Sequence, residues 1–109
     1  MIKFIYGITR KAGMSVEEFQ HHWREKHAPI ARRLPNVRRY VQNHVLPEYY
    51  GRDAAPTYDG AAELWFDDLD SMRSAFRSPE AQSSRVDEET FIDHSKSFGI
   101  VVEENVVVG

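Results

Sequence analysis

Four short segments rich in β-branched and aromatic side chains alternate with two amphipathic segments along the chain. The four segments are typical of strands, and they comprise residues 2–8, 37–46, 58–66 and 98–108. The predicted order is therefore β-α-β-β-α-β, the split βαβ pattern of a ferredoxin-like α+β sandwich. One long polar loop, residues 47–57, separates the second strand from the third.

The first amphipathic segment predicts a helix with a break in it. Ser15 followed by Glu18 has the form of a capping box, so the helix should begin at Val16. The apolar stripe of this helix consists of Phe19, Trp23, Ile30 and Leu34. Pro29 interrupts the stripe, because proline cannot donate to the carbonyl four residues earlier and its ring crowds that carbonyl. We expect a kink or a restart at Pro29.

The second amphipathic segment carries its own start signals. An acidic first turn at Asp67 and Asp68 favours a helix there. The inward residues of this helix are predicted to be Leu69, Met72 and Phe76. Ser78 followed by Pro79 has the form of a new N-cap and first-turn proline, so a short helix should restart there and run toward Arg85.

Two helices can pack on only one face of the predicted sheet, so the other face is left uncovered. By strand alternation one face carries Ile5, Val41, Ala61, Trp65 and part of the last strand, and the residues between them lie on the other face. Either of these two sets could be the uncovered one. Both sets contain apolar side chains, and a contiguous exposed apolar face indicates an interaction surface. The pattern predicts a homodimer whose sheets pack face to face.

Length, charge and composition narrow the class of protein. The 109 residues suit one domain, residues 1–109. The formal net charge of -3 argues against sequence-independent binding of nucleic acid. There is no cysteine, which excludes disulfides, thiolate metal sites and a cysteine nucleophile. No signal peptide and no apolar run of about 20 residues is present, so we expect a cytoplasmic protein without a membrane partner.

Histidine side chains are the first candidates for chemistry near neutral pH. On the first helix His27 falls inside the apolar stripe, His22 falls at its edge and His21 lies on the opposite side. His27 is either a core histidine that donates to a neighbouring carbonyl or an acid–base group exposed by the break at Pro29. His22 and His27 lack the i, i+4 spacing of a helical zinc pair, and we expect no metal site.

Polar residues on the second strand are the next candidates. Tyr40, Gln42 and His44 share one face of this strand. Alternation alone leaves open whether this row or the row of Val41 faces the helices. If the Tyr40 row does, Tyr40 and His44 meet His27 across a cleft, and two imidazoles and a phenol suit proton abstraction from carbon.

The third strand offers a place for a ligand. The small Gly60 and Ala62 leave room beneath the helices, and Leu64 and Phe66 on the same face would form an apolar wall. The alternative is ordinary packing of helices on this strand.

The sequence around the helix break contains the segment His22-Trp23-Arg24-Glu25-Lys26-His27-Ala28-Pro29, followed by Leu34-Pro35 and by Tyr40 on the next strand. This pattern resembles the EthD family of dimeric α/β-barrel proteins. Residues 58–66 are similar to the third strand of that family, and the resemblance covers essentially the whole chain. It implies a ferredoxin-like monomer whose sheet pairs with a second copy to form a dimeric α/β barrel. One pocket per subunit is then expected between helices and sheet.

The resemblance also implies a chemistry. The family is similar to methylmuconolactone methylisomerases and to dehydrochlorinases and dehydratases of small oxygenated rings, which work through His and Tyr without metal or organic cofactor. The histidine before the helix break corresponds to His27 and the strand phenol to Tyr40, and the pocket is implied to face Tyr40, His44, Leu64 and Phe66. A cysteine of the methylisomerase pocket corresponds to Leu64, which argues against that reaction. The second catalytic histidine of the methylisomerase has no counterpart in residues 47–57, so His44 is the candidate substitute.

We therefore expect a cofactor-independent lyase or isomerase, acting by dehydration, dehydrohalogenation or isomerisation on a small oxygenated cyclic or aromatic compound in catabolism or secondary metabolism. His27 would be the general base or acid, Tyr40 would bind a substrate oxygen, and His44 or His22 would assist proton movement. The predicted substrate-binding residues are Tyr6, Trp23, Gln42, Leu64 and Phe66. The alternatives are a cofactor-free monooxygenase of polyphenols or anthrones and a non-catalytic accessory protein that binds a small molecule or haem.

Overall fold

One antiparallel sheet organises the fold. The computed structural model describes residues 1–51 and 55–109. The strands are β1 (Ile2–Ile8), β2 (Arg39–His44), β3 (Gly60–Phe66) and β4 (Phe98–Val102), in the spatial order β2-β3-β1-β4. All three strand pairs are antiparallel. With the helical connections described next, this is the predicted ferredoxin-like α+β fold, which is confirmed.

The helical layer consists of two interrupted helices. The first comprises α1 (Val16–His21), a π-helical segment (His22–His27) and α2 (Ala28–Ala31); the second comprises α3 (Leu69–Phe76) and α4 (Pro79–Glu88). Short 3₁₀ turns occupy Pro47–Gly51 and His94–Lys96.

The predicted capping box begins the first helix. The Ser15 hydroxyl accepts from the backbone N–H of Glu18, and the Glu18 carboxylate accepts from the backbone N–H of Ser15, each at 3.0 Å. The two bonds satisfy donors that would otherwise be unpaired at the start of the helix.

Pro29 is accommodated by a π-helical turn. The backbone N–H of Ala28 donates to the carbonyl of Trp23, five residues earlier, and α-helical geometry resumes at Ala28. Because Pro29 has no N–H, the carbonyl of Glu25 has no α-helical donor, and the wider turn precedes the proline. The predicted restart therefore takes the form of a π-helical segment that ends at His27.

The second helical pair begins where its caps predict. Asp68 accepts from the N–H of Ser71 at 2.8 Å, and Ser78 accepts from the N–H of Ala81 at 3.1 Å. Leu69 was predicted to face inward, and this prediction is wrong. It lies in the first turn of α3, near the point where the chain leaves the sheet, and it is 42% exposed. Helix α4 also continues three residues beyond the expected end and reaches Glu88.

The inner face of the sheet carries the core. Burial alternates along β3, so that Gly60, Ala62, Leu64 and Phe66 are buried under the helices. The described residues place no helix on the outer face, and Phe98 and Ile100 of β4 are exposed on it, opposite Gly7 and Ile5 of β1.

The last strand is shorter than the sequence predicts. It was expected over residues 98–108 and ends at Val102. The Glu104 carboxylate beyond it accepts from the Trp65 indole at 2.9 Å and lies 3.5 Å from the Lys3 ammonium. These contacts draw residue 104 toward the outer face of the sheet rather than into a further ladder with β1.

Candidate active site

A cavity of ≈ 210 Å³ lies between the helices and the inner face of the sheet. Its apolar lining comprises Phe4, Ile8, Trp23, Ala31, Leu34, Ala62, Leu64, Phe76, Ala81 and Ile92. Its polar lining comprises Tyr6, His27, Tyr40, Ser84, Arg85 and Glu88. An apolar cavity of about 150 Å³ is enough to bind benzene, so this one has room for a small substituted ring.

Five of the eight predicted site residues line the cavity: Tyr6, Trp23, His27, Tyr40 and Leu64. The open question of strand orientation is answered by the hydrogen bonds of Gln42. Its side-chain amide donates to the Trp23 carbonyl at 2.9 Å and to the Tyr40 hydroxyl at 3.0 Å. The row of Tyr40, Gln42 and His44 therefore faces the helices.

Gln42, His44 and Phe66 do not line the cavity. Gln42 joins β2 to the first helix, and Phe66 is fully buried against the edge of the Phe76 ring. His44 lies at the end of β2, where its ring packs on the Trp23 indole with 4.3 Å between centroids. Trp23 reaches the cavity and His44 does not, so the expected meeting of His44 with His27 across a cleft does not occur.

His44 is instead held between two amides. Its Nδ1 contacts the Gln20 side-chain oxygen, and its Nε2 lies 2.8 Å from that of Gln42. Burial, and then the nearby Arg24 charge, lower the pKa of His44 to about 4.

The space above Gly60 is filled by protein. A Cβ at Gly60 would overlap the Trp23 ring and would lie 2.5 Å from the Asn43 carbonyl oxygen. The expectation that Gly60 leaves room for a ligand is wrong, because the missing side chain makes room for the indole. Ala62, one pleat along, does line the cavity.

His27 is held by a carboxylate on α4. Its ring is buried, with 4% of the residue exposed, and its Nδ1 lies 2.8 Å from Asp87 Oδ2. The same Asp87 oxygen lies 3.0 Å from His22 Nε2. An ionised carboxylate only accepts hydrogen bonds, so both imidazoles donate to Asp87 and the proton of neutral His27 is on Nδ1.

This tautomer leaves Nε2 of His27 free to take a proton. Burial lowers the pKa of His27, while the hydrogen bond and charge of Asp87 oppose that effect. The Ser84 hydroxyl lies 3.5 Å from Nε2 on the cavity side. The ring is therefore a neutral, oriented base next to an apolar space.

Two further groups of the cavity are weak acids. Burial raises the pKa of the Tyr40 phenol, which accepts from Gln42 and so retains its own O–H for donation. Burial also raises the pKa of Glu88 to about 7, so this carboxyl is about half protonated near pH 7.

Residues 11–95 match the model of a family described as the EthD domain. The chain belongs to the EthD family. Among solved structures, an EthD family protein from Bacillus halodurans is 22% identical, with a TM-score of 0.77, covering 96% of this chain and 99% of that chain. The cofactor-independent oxygenase SnoaB from Streptomyces nogalater is 15% identical, with a TM-score of 0.67 and coverage of 98% and 95%.

A dimeric protein of ferredoxin-like fold from Bacteroides fragilis is 14% identical to this EthD chain, with a TM-score of 0.68 and coverage of 94% and 95%. The curated proteins contain no significant match. Within residues 1–51 and 55–109 of this EthD protein, no group of three or more His, Asp or Glu side chains is arranged to hold a metal ion. Nor does any helix in that part of the chain have the length and apolarity to cross a membrane.

Sequence reasoning missed the contribution of α4 to the EthD cavity. Ser84, Asp87 and Glu88 lie on one helix face because they are spaced at i, i+3 and i+4. Ala81, at i-3 from Ser84, is buried on the same face. The sequence could have indicated this face through the spacing of Ala81, Ser84 and Glu88. The rest of the helix has the polar composition of a solvent-exposed helix.

Proposed function

We propose that this EthD protein is a cofactor-independent lyase or isomerase that moves protons on a small oxygenated cyclic compound. The observation that supports this proposal is His27, buried at an apolar cavity with Nδ1 held by Asp87 and Nε2 available. A neutral imidazole with a fixed tautomer is the usual general base of proteins near neutral pH.

The proposed reaction begins with a ring seated against Trp23 and Leu64. Tyr40 donates a hydrogen bond to a ring oxygen, which makes the neighbouring C–H more acidic and stabilises the negative charge that develops on that oxygen. His27 takes the proton from this carbon through Nε2. Asp87 then stabilises the imidazolium, and a general base of this kind contributes about 10²–10⁴ in rate.

A second candidate is a cofactor-independent oxygenase. The specific observation is the structural likeness to SnoaB, a protein described as a cofactor-independent oxygenase. The same base would deprotonate a phenolic ring, and the electron-rich anion would itself reduce dioxygen. Oxygen consumption during turnover distinguishes this candidate from elimination or isomerisation.

The experiment is a turnover screen with lactones, hydroxylated rings and halogenated rings, followed by mass spectrometry and an oxygen electrode. We expect a product without oxygen uptake, and a loss of about 10²-fold or more with His27→Gln. His21→Gln, on the exposed side of the same helix, is the matched control and should retain full activity. Full turnover by His27→Gln would refute the role of His27.

We further propose that the protein functions as a homodimer through the outer face of the sheet. Phe98 and Ile100 on that face are 37% and 47% exposed, and the similar protein from Bacteroides fragilis is described as dimeric. Analytical ultracentrifugation should give a dimer for the native chain and a monomer for Ile100→Lys. Val86→Lys, on the exposed side of α4, should remain dimeric.

A further inference from the structure

A serine lies between the base of the cavity and its buried carboxyl. Ser84 Oγ is 3.5 Å from His27 Nε2 and 3.5 Å from Glu88 Oε2. Ser84 and Glu88 occupy successive turns of α4, so one helix face presents both to the cavity. A hydroxyl is both donor and acceptor, and such distances shorten when a substrate closes the site.

We propose that Glu88 is the second proton-carrying group of this cavity, giving a proton to the departing group while His27 takes one from carbon, and that Ser84 returns the proton from His27 to Glu88. This inference rests on the proposed function of the cavity. It adds to that function the identity of the general acid and the route by which His27 and Glu88 regain their starting protonation states.

The proton count closes over one turnover. The C–H proton moves to His27 Nε2, the C–H electron pair forms a new π bond, and the bond to the leaving group breaks. That group departs with the proton of Glu88. The site is left with an imidazolium and a carboxylate, and transfer through the Ser84 hydroxyl restores the neutral imidazole and the protonated carboxyl without solvent.

The surroundings of Glu88 accept both of its protonation states. Tyr6 Oη is 3.5 Å from Glu88 Oε1 and 2.9 Å from His94 Nδ1. When Glu88 is protonated, its O–H can donate to Tyr6, and Tyr6 can donate to His94. When Glu88 is ionised, the hydroxyl can turn and donate to the carboxylate, while Nδ1–H of His94 donates to Tyr6. A group that exchanges protons needs both arrangements.

Several elements place titratable or charged groups around this carboxyl. They are Tyr6 of β1, His27 of the π-helical segment, Tyr40 of β2, His94 of the last 3₁₀ turn, and Arg85 and Asp87 of α4. Arg85 favours the ionised carboxyl and Asp87 opposes it, while burial opposes it most strongly. The result is a carboxyl that titrates near neutrality rather than a permanent anion.

The test uses two aromatic carbon acids, benzisoxazole and its nitro derivative, whose ring opens when a base removes the C–H proton and the N–O bond breaks. The nitro group stabilises the departing phenolate, which then needs little help from an acid. Without the nitro group the departing oxygen gains more from a proton. Dependence on Glu88 should therefore differ between the two compounds, whereas dependence on His27 should not.

We expect Glu88→Gln to slow opening of benzisoxazole by about 10²-fold and opening of the nitro compound by less than about threefold. His27→Gln should slow both. Glu89→Gln, on the exposed side of the same helix, is the matched control and should change neither rate. Equal slowing of both compounds by Glu88→Gln would mean that Glu88 only shapes the cavity, which overturns this inference and leaves the role of His27 intact. No effect of His27→Gln would overturn the proposed function itself.

Ser84 has a separate test. Ser84→Ala should lower the steady-state rate with benzisoxazole, and added imidazole buffer should restore it by carrying the proton that Ser84 no longer returns. The nitro compound should be nearly unaffected, because its phenolate leaves without the proton of Glu88. Ser83→Ala is the matched control and should change nothing. A loss that buffer does not restore would refute the relay.

Carboxyl carbon NMR of glutamate-labelled protein gives a readout that needs no turnover. One glutamate should titrate at about pH 7, and its signal should vanish in Glu88→Gln. If Glu88 titrates with the ordinary glutamates, it has no proton to give near neutral pH and the inference is wrong.

Discussion

Glu88→Gln should stabilise the folded protein at alkaline pH. Burial raises the pKa of Glu88 from an ordinary value of 4.5 to about 7. Between these two values the folded state binds a proton that the unfolded state releases, so the free energy of unfolding decreases as the pH rises. Above about pH 7 the folded protein carries a buried charge, which glutamine at the same place lacks. At about 1.4 kcal/mol for each pKa unit, the difference amounts to about 3 kcal/mol.

The measurement is urea unfolding of the native protein and the variant across pH 4.5–8, since the difference between them removes the contribution of all other titrating groups. The free energy of unfolding of Glu88→Gln relative to the native protein should rise by about 3 kcal/mol over this range, or by roughly 10 °C or more in melting temperature at the alkaline end. Glu89→Gln is exposed and should give a flat difference. A flat or falling difference for Glu88→Gln would show that the carboxyl is ionised throughout, which would refute the reasoning.

Three further substitutions test the packing and the polar contacts of the site. Gly60→Ala should cost about 1–3 kcal/mol in urea unfolding because the new Cβ overlaps the indole above it; Gly51→Ala, with open space around it, should cost nothing. Asp87→Asn should lower the pKa of His27 further, because the hydrogen bond and charge of the carboxylate oppose the effect of burial; an unchanged midpoint in imidazole nitrogen NMR would contradict the pairing. Tyr40→Phe should abolish the preference of the cavity for cyclohexanone over cyclohexane, and a preserved preference in NMR titrations would count against a hydrogen bond from this phenol.

Much of the scaffold could be predicted because its signals are local. Ser15 with Glu18, and Ser78 with Pro79, are spaced by the geometry of a helix start and need no information from elsewhere in the chain. Strand alternation likewise correctly groups Tyr40 with Gln42 and His44. It could not fix which row faces the helices, since both rows contain apolar side chains.

The parts of the site that were not predicted depend on contacts between distant elements. Asp87 is sixty residues from His27, and the local sequence of α4 gives no sign that its carboxylate serves a buried imidazole. His44 lies on the predicted face but too far along its strand, because Trp23 takes the position above Gly60. Periodicity fixes the direction of a side chain and leaves its neighbours across the core undetermined.

The π-helical turn makes the site depend on chain length as well as on side chains. Relative to an α-helix, a turn of this kind holds one extra residue. Removing one residue between Trp23 and His27 would leave an ordinary α-helical turn there and would place the ring of Pro29 against the carbonyl four residues earlier. A homologue with the same histidine, aspartate and tyrosine but one residue fewer in this turn would keep the composition of the site and lose the wider turn that precedes its proline.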